Sequence, residues 1–176
     1  MTALYRRLLG AQFDDLPGAV RALHDVEAEC TWVGRADVCR GGSAIARGLA
    51  MVLGLPPEGR DQPLSVTFMP SGDAEIWIRT FGVKRFVSTQ WADGTQLRER
   101  VGPVTLHMTL QQDGEWLGLT LVGVRALGIP LPASLLPRIH TRETDRDGRY
   151  CFEVEAIMPL IGLLVRYEGW LERAAR

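Results

Sequence analysis

The sequence predicts an α+β fold in which N-terminal helices precede a strongly curved antiparallel β-sheet, either a half-barrel or a closed barrel. Most of the chain after Pro63 alternates apolar and polar residues with the period of two that is typical of strands. Three Asp-Gly pairs, which favour tight hairpin turns, separate alternating runs: Asp93-Gly94, Asp113-Gly114 and Asp147-Gly148. So many consecutive strands would leave exposed edges in a flat sheet, and we therefore expect the sheet to curl.

Composition is that of an ordinary globular protein. With 176 residues, 46% of them hydrophobic, the chain is long enough for one domain with its own core, expected at residues 1–176. A net charge of −1 gives no indication of nucleic acid or of a strongly charged partner. The longest apolar run, residues 158–165, is too short to span a bilayer. Because the three cysteines are scattered and no signal peptide is evident, we expect a cytoplasmic protein.

Three helices are predicted in the N-terminal third. The first covers residues 4–9. The second covers residues 14–24, with Asp14 or Asp15 as its N-cap and Pro17 in its first turn. A strand at residues 28–39 follows. The third helix covers residues 43–53, with Ser43 as its N-cap.

The remainder of the chain is predicted to consist mainly of strands. They lie at about residues 64–69, 74–81, 85–91, 95–101, 104–111, 115–125, 138–145, 149–157 and 163–172. A proline-rich segment, residues 128–137, interrupts them as a crossing loop or one helical turn, because proline cannot donate to a strand ladder. Residues 163–172 could also form a C-terminal helix, and the sequence leaves both possibilities open.

The Asp-Gly turns predict which side chains share a face of the sheet. A two-residue loop at Asp93-Gly94 would pair Ser88 with Glu99. Since side chains alternate between faces, this pairing defines one mostly apolar face. Its members are Trp77, Arg79, Phe81, Phe86, Ser88, Gln90, Leu97, Glu99, Val101, Leu106, Met108, Leu110, Leu117, Leu119 and Leu121.

Two loops are possible in the preceding hairpin. A Val83-Lys84 loop would place Arg79 opposite Ser88, whereas a Gly82-Val83 loop would place Trp77 opposite Ser88. Both loops have an even number of residues, so both predict the same faces.

The third turn brings another carboxylate to an inward face. A two-residue loop at Asp147-Gly148 places Glu143 opposite Phe152. On the other face it pairs Arg142 with Glu153, which is typical of a solvated surface.

Three polar residues on the apolar face are the main candidate site. Strands lie about 4.8 Å apart, so Arg79 and Glu99, two strands apart, could meet above Ser88. One interpretation is a structural salt bridge, because a buried charge is costly unless it is paired. The other is a polar patch in a cavity, where Arg79 anchors an anion or a carbonyl and Glu99 orients Arg79 or acts as a general base. Trp77 and Phe86, on the same face, would then contact the ligand.

Glu143 is the second candidate catalytic carboxylate, and it would form an acid–base pair with Glu99 if the two approached each other. The histidines, His24, His107 and His140, lie far apart in the chain, and we expect them at the surface rather than in a catalytic or metal-binding set. No zinc-ligand spacing, phosphate-binding loop or dinucleotide fingerprint is present in the sequence, so neither a metal nor a cofactor is predicted.

Several stretches share their residues and spacing with a known family. They are LYRRLLG at 4–10, LGLPPEG at 53–59, WIRTFG at 77–82, RFVSTQ at 85–90, RERVGP at 98–103, LGIPLPASLLPRI at 127–139, DGRYCFEV at 147–154 and PLIGLLVRYEGWL at 159–171. Over nearly its whole length the chain thus resembles the domain of unknown function 4166 family. The resemblance implies no known activity and no catalytic residues. Members often follow a saccharopine-dehydrogenase-like domain on one chain, which implies a Rossmann-type oxidoreductase as a partner, here expected in trans.

Three functional hypotheses follow. The first is a cup that binds a lipid-like or polyketide-like small molecule, with Arg79, Ser88 and Glu99 holding its polar end. The second is an isomerase, cyclase or hydrolase in the same cavity that uses Glu99 or Glu143 as acid or base. The third is an accessory domain of an NAD(P)-dependent oxidoreductase, which requires an exposed apolar patch around residues 129–136.

Overall fold

The computed structural model describes residues 2–175 and contains a closed antiparallel barrel of ten strands. The helices are α1 (Leu4–Leu9), α2 (Gly18–His24) and α3 (Ala44–Val52). The strands are β1 (Cys30–Arg40), β2 (Gly59–Ser71), β3 (Ala74–Phe81), β4 (Lys84–Asp93), β5 (Gln96–Val101), β6 (Val104–Gln112), β7 (Trp116–Ala126), β8 (Ile129–Pro130), β9 (Arg138–Arg146), β10 (Arg149–Met158) and β11 (Gly162–Arg173). Short 3-10 helices occupy Gly10–Asp15 and Ala133–Leu135.

The barrel closes because the first and last strands pair with each other. β1 runs antiparallel to β11 from Trp32, opposite Arg173, to Arg40, opposite Val165. β8 is a two-residue extension beside β7, and β7 otherwise pairs with β6 and β9. The predicted curved sheet is therefore confirmed as a closed barrel, and the segment left open between strand and helix is a strand.

Two glycines permit close contact at this seam. A Cβ atom on Gly34 would collide with the backbone carbonyl of Trp170, and one on Gly169 would collide with that of Arg35. The seam between β1 and β11 therefore depends on the missing side chains at these two positions.

The alternating strand directions give the barrel two different ends. The chain before β1 covers one of them, which we call the closed end, where apolar side chains of α1 and α2 such as Tyr5 and Leu23 join the barrel core. We call the opposite end the rim. It consists of the five connections 41–58, 82–83, 102–103, 127–137 and 159–161.

The Asp-Gly turns form three different loops. Asp147-Gly148 is the predicted two-residue loop, with both residues at positive φ (55° and 78°). It places Glu143 opposite Phe152, as expected. At Asp93-Gly94 the structure differs from the prediction. The loop is Gly94-Thr95, and Glu99 lies opposite Gln90 instead of Ser88. The remaining pair lies within the longer connection between Gln112 and Leu117.

The predicted faces are nevertheless correct. Moving the loop from Asp93-Gly94 to Gly94-Thr95 shifts the pairing of β4 with β5 by two residues, and a shift of two leaves every side chain on its face. In the preceding hairpin the Gly82-Val83 alternative is the right one, with Trp77 opposite Ser88. Gly82 has the positive φ (56°) that the first position of such a turn needs.

The predicted second helix is split, and its predicted cap is wrong. The chain is extended at Leu16 and Pro17, between the first 3-10 helix and α2. Neither Asp14 nor Asp15 caps α2; instead Asp145 of β9 accepts a hydrogen bond from the backbone N–H of Ala19 at 2.8 Å. The predicted cap of α3 is confirmed, since the Ser43 hydroxyl accepts from the N–H of Ala46 at 3.0 Å.

Candidate functional site

A cavity of about 440 Å³ lies inside the barrel and extends from the closed end to the rim. Tyr5 and Leu23 line it at the closed end, and Leu49, Leu131 and Pro137 line it at the rim. Most of the wall is apolar because the inward positions of the strands carry aliphatic and aromatic side chains. The predicted site residues Trp77, Arg79, Phe86, Glu99 and Glu143 all line this cavity, whereas Ser88, on the same face of the sheet, does not.

Arg79 is the centre of the first polar group. Its guanidinium donates to Ser88 Oγ at 2.8 Å and to Glu99 Oε1 at 3.4 Å. The guanidinium carbon lies 4.7 Å from the centre of the Trp77 ring and 5.5 Å from that of Phe86. The contact expected between strands β3, β4 and β5 is thus present, and the hydrogen bond to Ser88 helps to hold the arginine in place.

This arrangement leaves donor capacity on Arg79. A guanidinium carries five N–H donors, and two of its nitrogens are engaged by Ser88 and Glu99. The side chain of Arg79 is 13% exposed, and it faces the cavity. It can therefore donate further hydrogen bonds to an acceptor inside the barrel, while Glu99 balances its charge.

The second polar group joins a helix to the barrel. His24 Nε2, at the end of α2, lies 2.6 Å from Glu143 Oε2 on β9. The imidazole is fully buried and stacks on Tyr5, with ring centres 3.8 Å apart. The expectation that His24 lies at the surface is wrong. Its position four residues after Val20, on the apolar stripe of α2, was the available signal, because residues at that spacing share a helix face.

Glu75 is a further buried carboxylate, which was not among the predicted site residues. Its Oε1 accepts from the backbone N–H of Leu4 at 3.0 Å, and its Oε2 accepts from Trp77 Nε1 at 3.2 Å. Burial raises the pKa of this carboxyl group. The spacing of two from Trp77 placed Glu75 on the inward face of β3, and that pattern was the signal for it.

Three tyrosines complete the polar part of the cavity wall. Burial raises the pKa of Tyr5 and of Tyr150 well above the usual value, with Glu143 adding to the effect in both. Burial also raises the pKa of Tyr167 to about 12. These phenols are therefore neutral at physiological pH, and the hydroxyl of Tyr5 reaches the side chain of Gln90 at 3.3 Å.

The two candidate carboxylates have different partners, Arg79 for Glu99 and His24 for Glu143.

Of the other histidines, His140 is exposed and lies opposite Glu155 on the outer surface, as expected. Within residues 2–175, no three histidine, cysteine, aspartate or glutamate side chains form a group that could hold a metal ion.

The comparisons with known proteins give a family and no relative of known activity. The sequence profile of one family, described as a domain of unknown function (DUF4166), matches residues 16–171. Neither a curated protein nor a solved structure matches the chain significantly.

Proposed function

The chain belongs to the DUF4166 family, and we propose that its barrel binds a lipid-like or polyketide-like small molecule in the central cavity. The supporting observation is the cavity itself. Its volume of about 440 Å³ falls within the range of small-molecule sites, and its wall is apolar apart from a few polar groups. A barrel of this size has room for more than its own side chains, since eight strands already suffice to hold one small ligand.

The charges around the cavity favour a ligand with a neutral polar end. Arg79 is balanced by Glu99, and Glu143 is held by His24. A ligand carboxylate would add another anion near two glutamates, which is costly where water is scarce. A carbonyl, by contrast, can accept from Arg79, and a hydroxyl can donate to Glu99 or Glu143. We therefore expect a ketone, ester or alcohol group on an otherwise apolar molecule.

A matched pair of tryptophan variants on β7 tests this proposal. Leu119 lines the cavity, whereas its neighbour Thr120 is exposed on the outer surface. Leu119→Trp should fill the cavity and sharply weaken the uptake of a fluorescent apolar ketone, measured by its emission on titration. Thr120→Trp should leave the uptake unchanged. Equal uptake by both variants, or none by the wild type, would refute the proposal.

A second candidate function is catalysis in the same cavity, with Glu143 as acid or base. The observation that favours it is the 2.6 Å contact with His24, because a buried imidazole fixes the orientation of the carboxylate that would act on a ligand. An isomerase or cyclase would begin by removing a proton next to a carbonyl, and a hydrolase would activate water. His24 would be a positioning residue in each case.

Hydrogen exchange in heavy water tests this second candidate. A bound ketone should exchange the hydrogens next to its carbonyl faster with the wild type than without protein, as followed by NMR. Glu143→Gln should abolish the acceleration and retain binding of the ketone, whereas His140→Ala, on the outer surface, should change neither. Acceleration that persists in Glu143→Gln would exclude Glu143 as the base.

A further inference from the structure

We propose that the rim of the barrel docks on the surface of a bilayer that contains anionic lipids, so that the cavity exchanges its ligand with the membrane. The inference rests on the proposed function, because a lipid-like ligand is dissolved in bilayers. It is carried by the distribution of apolar and charged side chains between the two ends of the barrel.

Exposed hydrophobic side chains are concentrated at the rim. Among residues 2–175, eight of the twelve exposed large hydrophobic residues lie in the five rim connections. They are Ile45, Met51, Val52, Val83, Leu127, Ile129, Leu135 and Leu160. Val83 and Leu160 occupy the tips of their turns and are fully exposed. Apolar surface gathered at one place on a protein marks an interaction site.

Helix α3 shows the same pattern within one element. Its inner residues Ala46 and Ala50 pack against Leu164 of β11. Its outer residues Met51 and Val52 are 75% and 66% exposed. A helix that is apolar on all sides is normally covered, and α3 is covered on its barrel side only. An apolar outer face with one basic residue suits the interface between lipid headgroups and acyl chains.

Charge distinguishes a bilayer from other apolar partners. The two residues of each strand nearest the rim include six exposed basic residues and, in the described part of the chain, no acidic one; the exposed Glu58 lies beside them in the first rim connection. These basic residues are Arg60, Lys84, Arg85, Arg100, Arg125 and Arg138. The opposite end has mixed charge: its turns carry the acidic residues Asp73, Asp93, Asp113, Glu115 and Asp147, and the exposed basic residues Arg146, Arg149 and Arg173 lie beside them. A basic collar behind an apolar surface is complementary to a bilayer with anionic headgroups, and the mixed charge of the opposite end offers no such complementarity.

The cavity extends to the rim connections. Leu49, Leu53, Leu131 and Pro137 belong to rim connections and also line the cavity. At the other end, α1 and α2 pack into the barrel and cover it. A molecule that leaves a bilayer through the rim would therefore remain in apolar surroundings until its polar end reaches Arg79.

Vesicle flotation tests the inference with the full chain. The vesicles consist of phosphatidylcholine, with or without phosphatidylserine. The rim variant is Val83→Asp with Leu160→Asp, and aspartate tolerates the positive φ of Leu160 (65°). The control is Ser71→Asp with Thr95→Asp, which adds the same charge at exposed positions of the closed end.

We expect the wild type and the control to float with the phosphatidylserine vesicles and the rim variant to remain behind. Binding of the wild type should weaken as salt is added, because salt screens the basic collar. A wild type that binds neither kind of vesicle, or a rim variant that floats like the wild type, would overturn the inference. Absence of vesicle binding, combined with capture of an oxidoreductase through the rim, would identify a protein partner instead.

Uptake of the fluorescent ketone in vesicle-free solution separates this inference from the proposed function. If the protein takes up the ketone but does not bind vesicles, the proposal of ligand binding stands and the proposal of membrane docking is refuted. Vesicle binding by a protein that takes up no probe would refute ligand binding and, with it, the exchange of a ligand through the rim.

Discussion

His24 Nε2 and Glu143 Oε2 are 2.6 Å apart, and this buried contact ties helix α2 to strand β9 of the barrel wall. Removing one partner of a buried pair leaves the other without compensation. His24→Ala should therefore lower the free energy of unfolding by about 3–5 kcal/mol, measured by urea denaturation. His140→Ala, at an exposed position, should change it by less than about 0.5 kcal/mol. Similar small losses for both variants would show that the contact contributes little to folding.

Two variants separate the contribution of the Arg79–Glu99 pair to stability from its contribution to ligand binding. Arg79→Leu leaves Glu99 unpaired and should cost about 3–5 kcal/mol of stability. The double variant Arg79→Leu/Glu99→Leu should recover most of that loss, because apolar residues can replace a buried pair. A double variant that folds well and fails to bind the ketone would show that the pair serves the ligand. Undiminished ketone binding by that variant would reduce the pair to a structural role.

The tyrosines should resist titration while the protein is folded. The chain has three tyrosines, and burial raises the pKa of each above its usual value of 10.0. The folded protein therefore keeps protons that the unfolded chain releases, so this contribution to stability is complete below pH 10 and is lost as the pH rises toward 12. Phenolate absorbance should remain low near pH 10 and then rise together with loss of the barrel circular dichroism. If even one tyrosine of the folded protein titrated near its usual pKa, the burial of the three phenols would be contradicted.

Closure of the barrel should depend on Gly34. A methyl group there meets the Trp170 carbonyl on β11, so Gly34→Ala should destabilise the protein by about 1–3 kcal/mol or more in urea denaturation. Gly48→Ala is the matched control, because nothing lies within 4 Å of a Cβ atom at that position of α3. Alanine is favoured over glycine in a helix by about 1 kcal/mol, so the control should be slightly more stable than the wild type. A tolerated Gly34→Ala would indicate that β1 and β11 do not close as described.

Features of the fold that depend on neighbouring residues in the sequence were mostly predicted correctly, whereas several features that depend on contacts between distant residues were not. The inward face of β3 to β5 was predicted from alternation. The prediction remained correct although the loop is Gly94-Thr95, because the register shift was an even number of residues. The cap of α2 was out of reach, since Asp145 lies 126 residues beyond the N–H that it accepts from. The burial of His24 likewise depends on a partner in β9. The apolar face that lines the cavity was predicted from alternation, but the volume of the cavity depends on closure of the barrel by β1 and β11, which are far apart in the sequence.

Native mass spectrometry of wild-type protein purified without detergent, beside the cavity-filling variant Leu119→Trp, tests most directly whether the barrel holds a small molecule. We expect the wild type to carry an added mass, released on activation as a neutral, mostly apolar molecule with an oxygen-containing end. The variant should carry none, and the wild type stripped of its ligand should take up the fluorescent ketone. A wild type that is empty as purified and binds no ketone would contradict the assignment of this barrel as a small-molecule carrier.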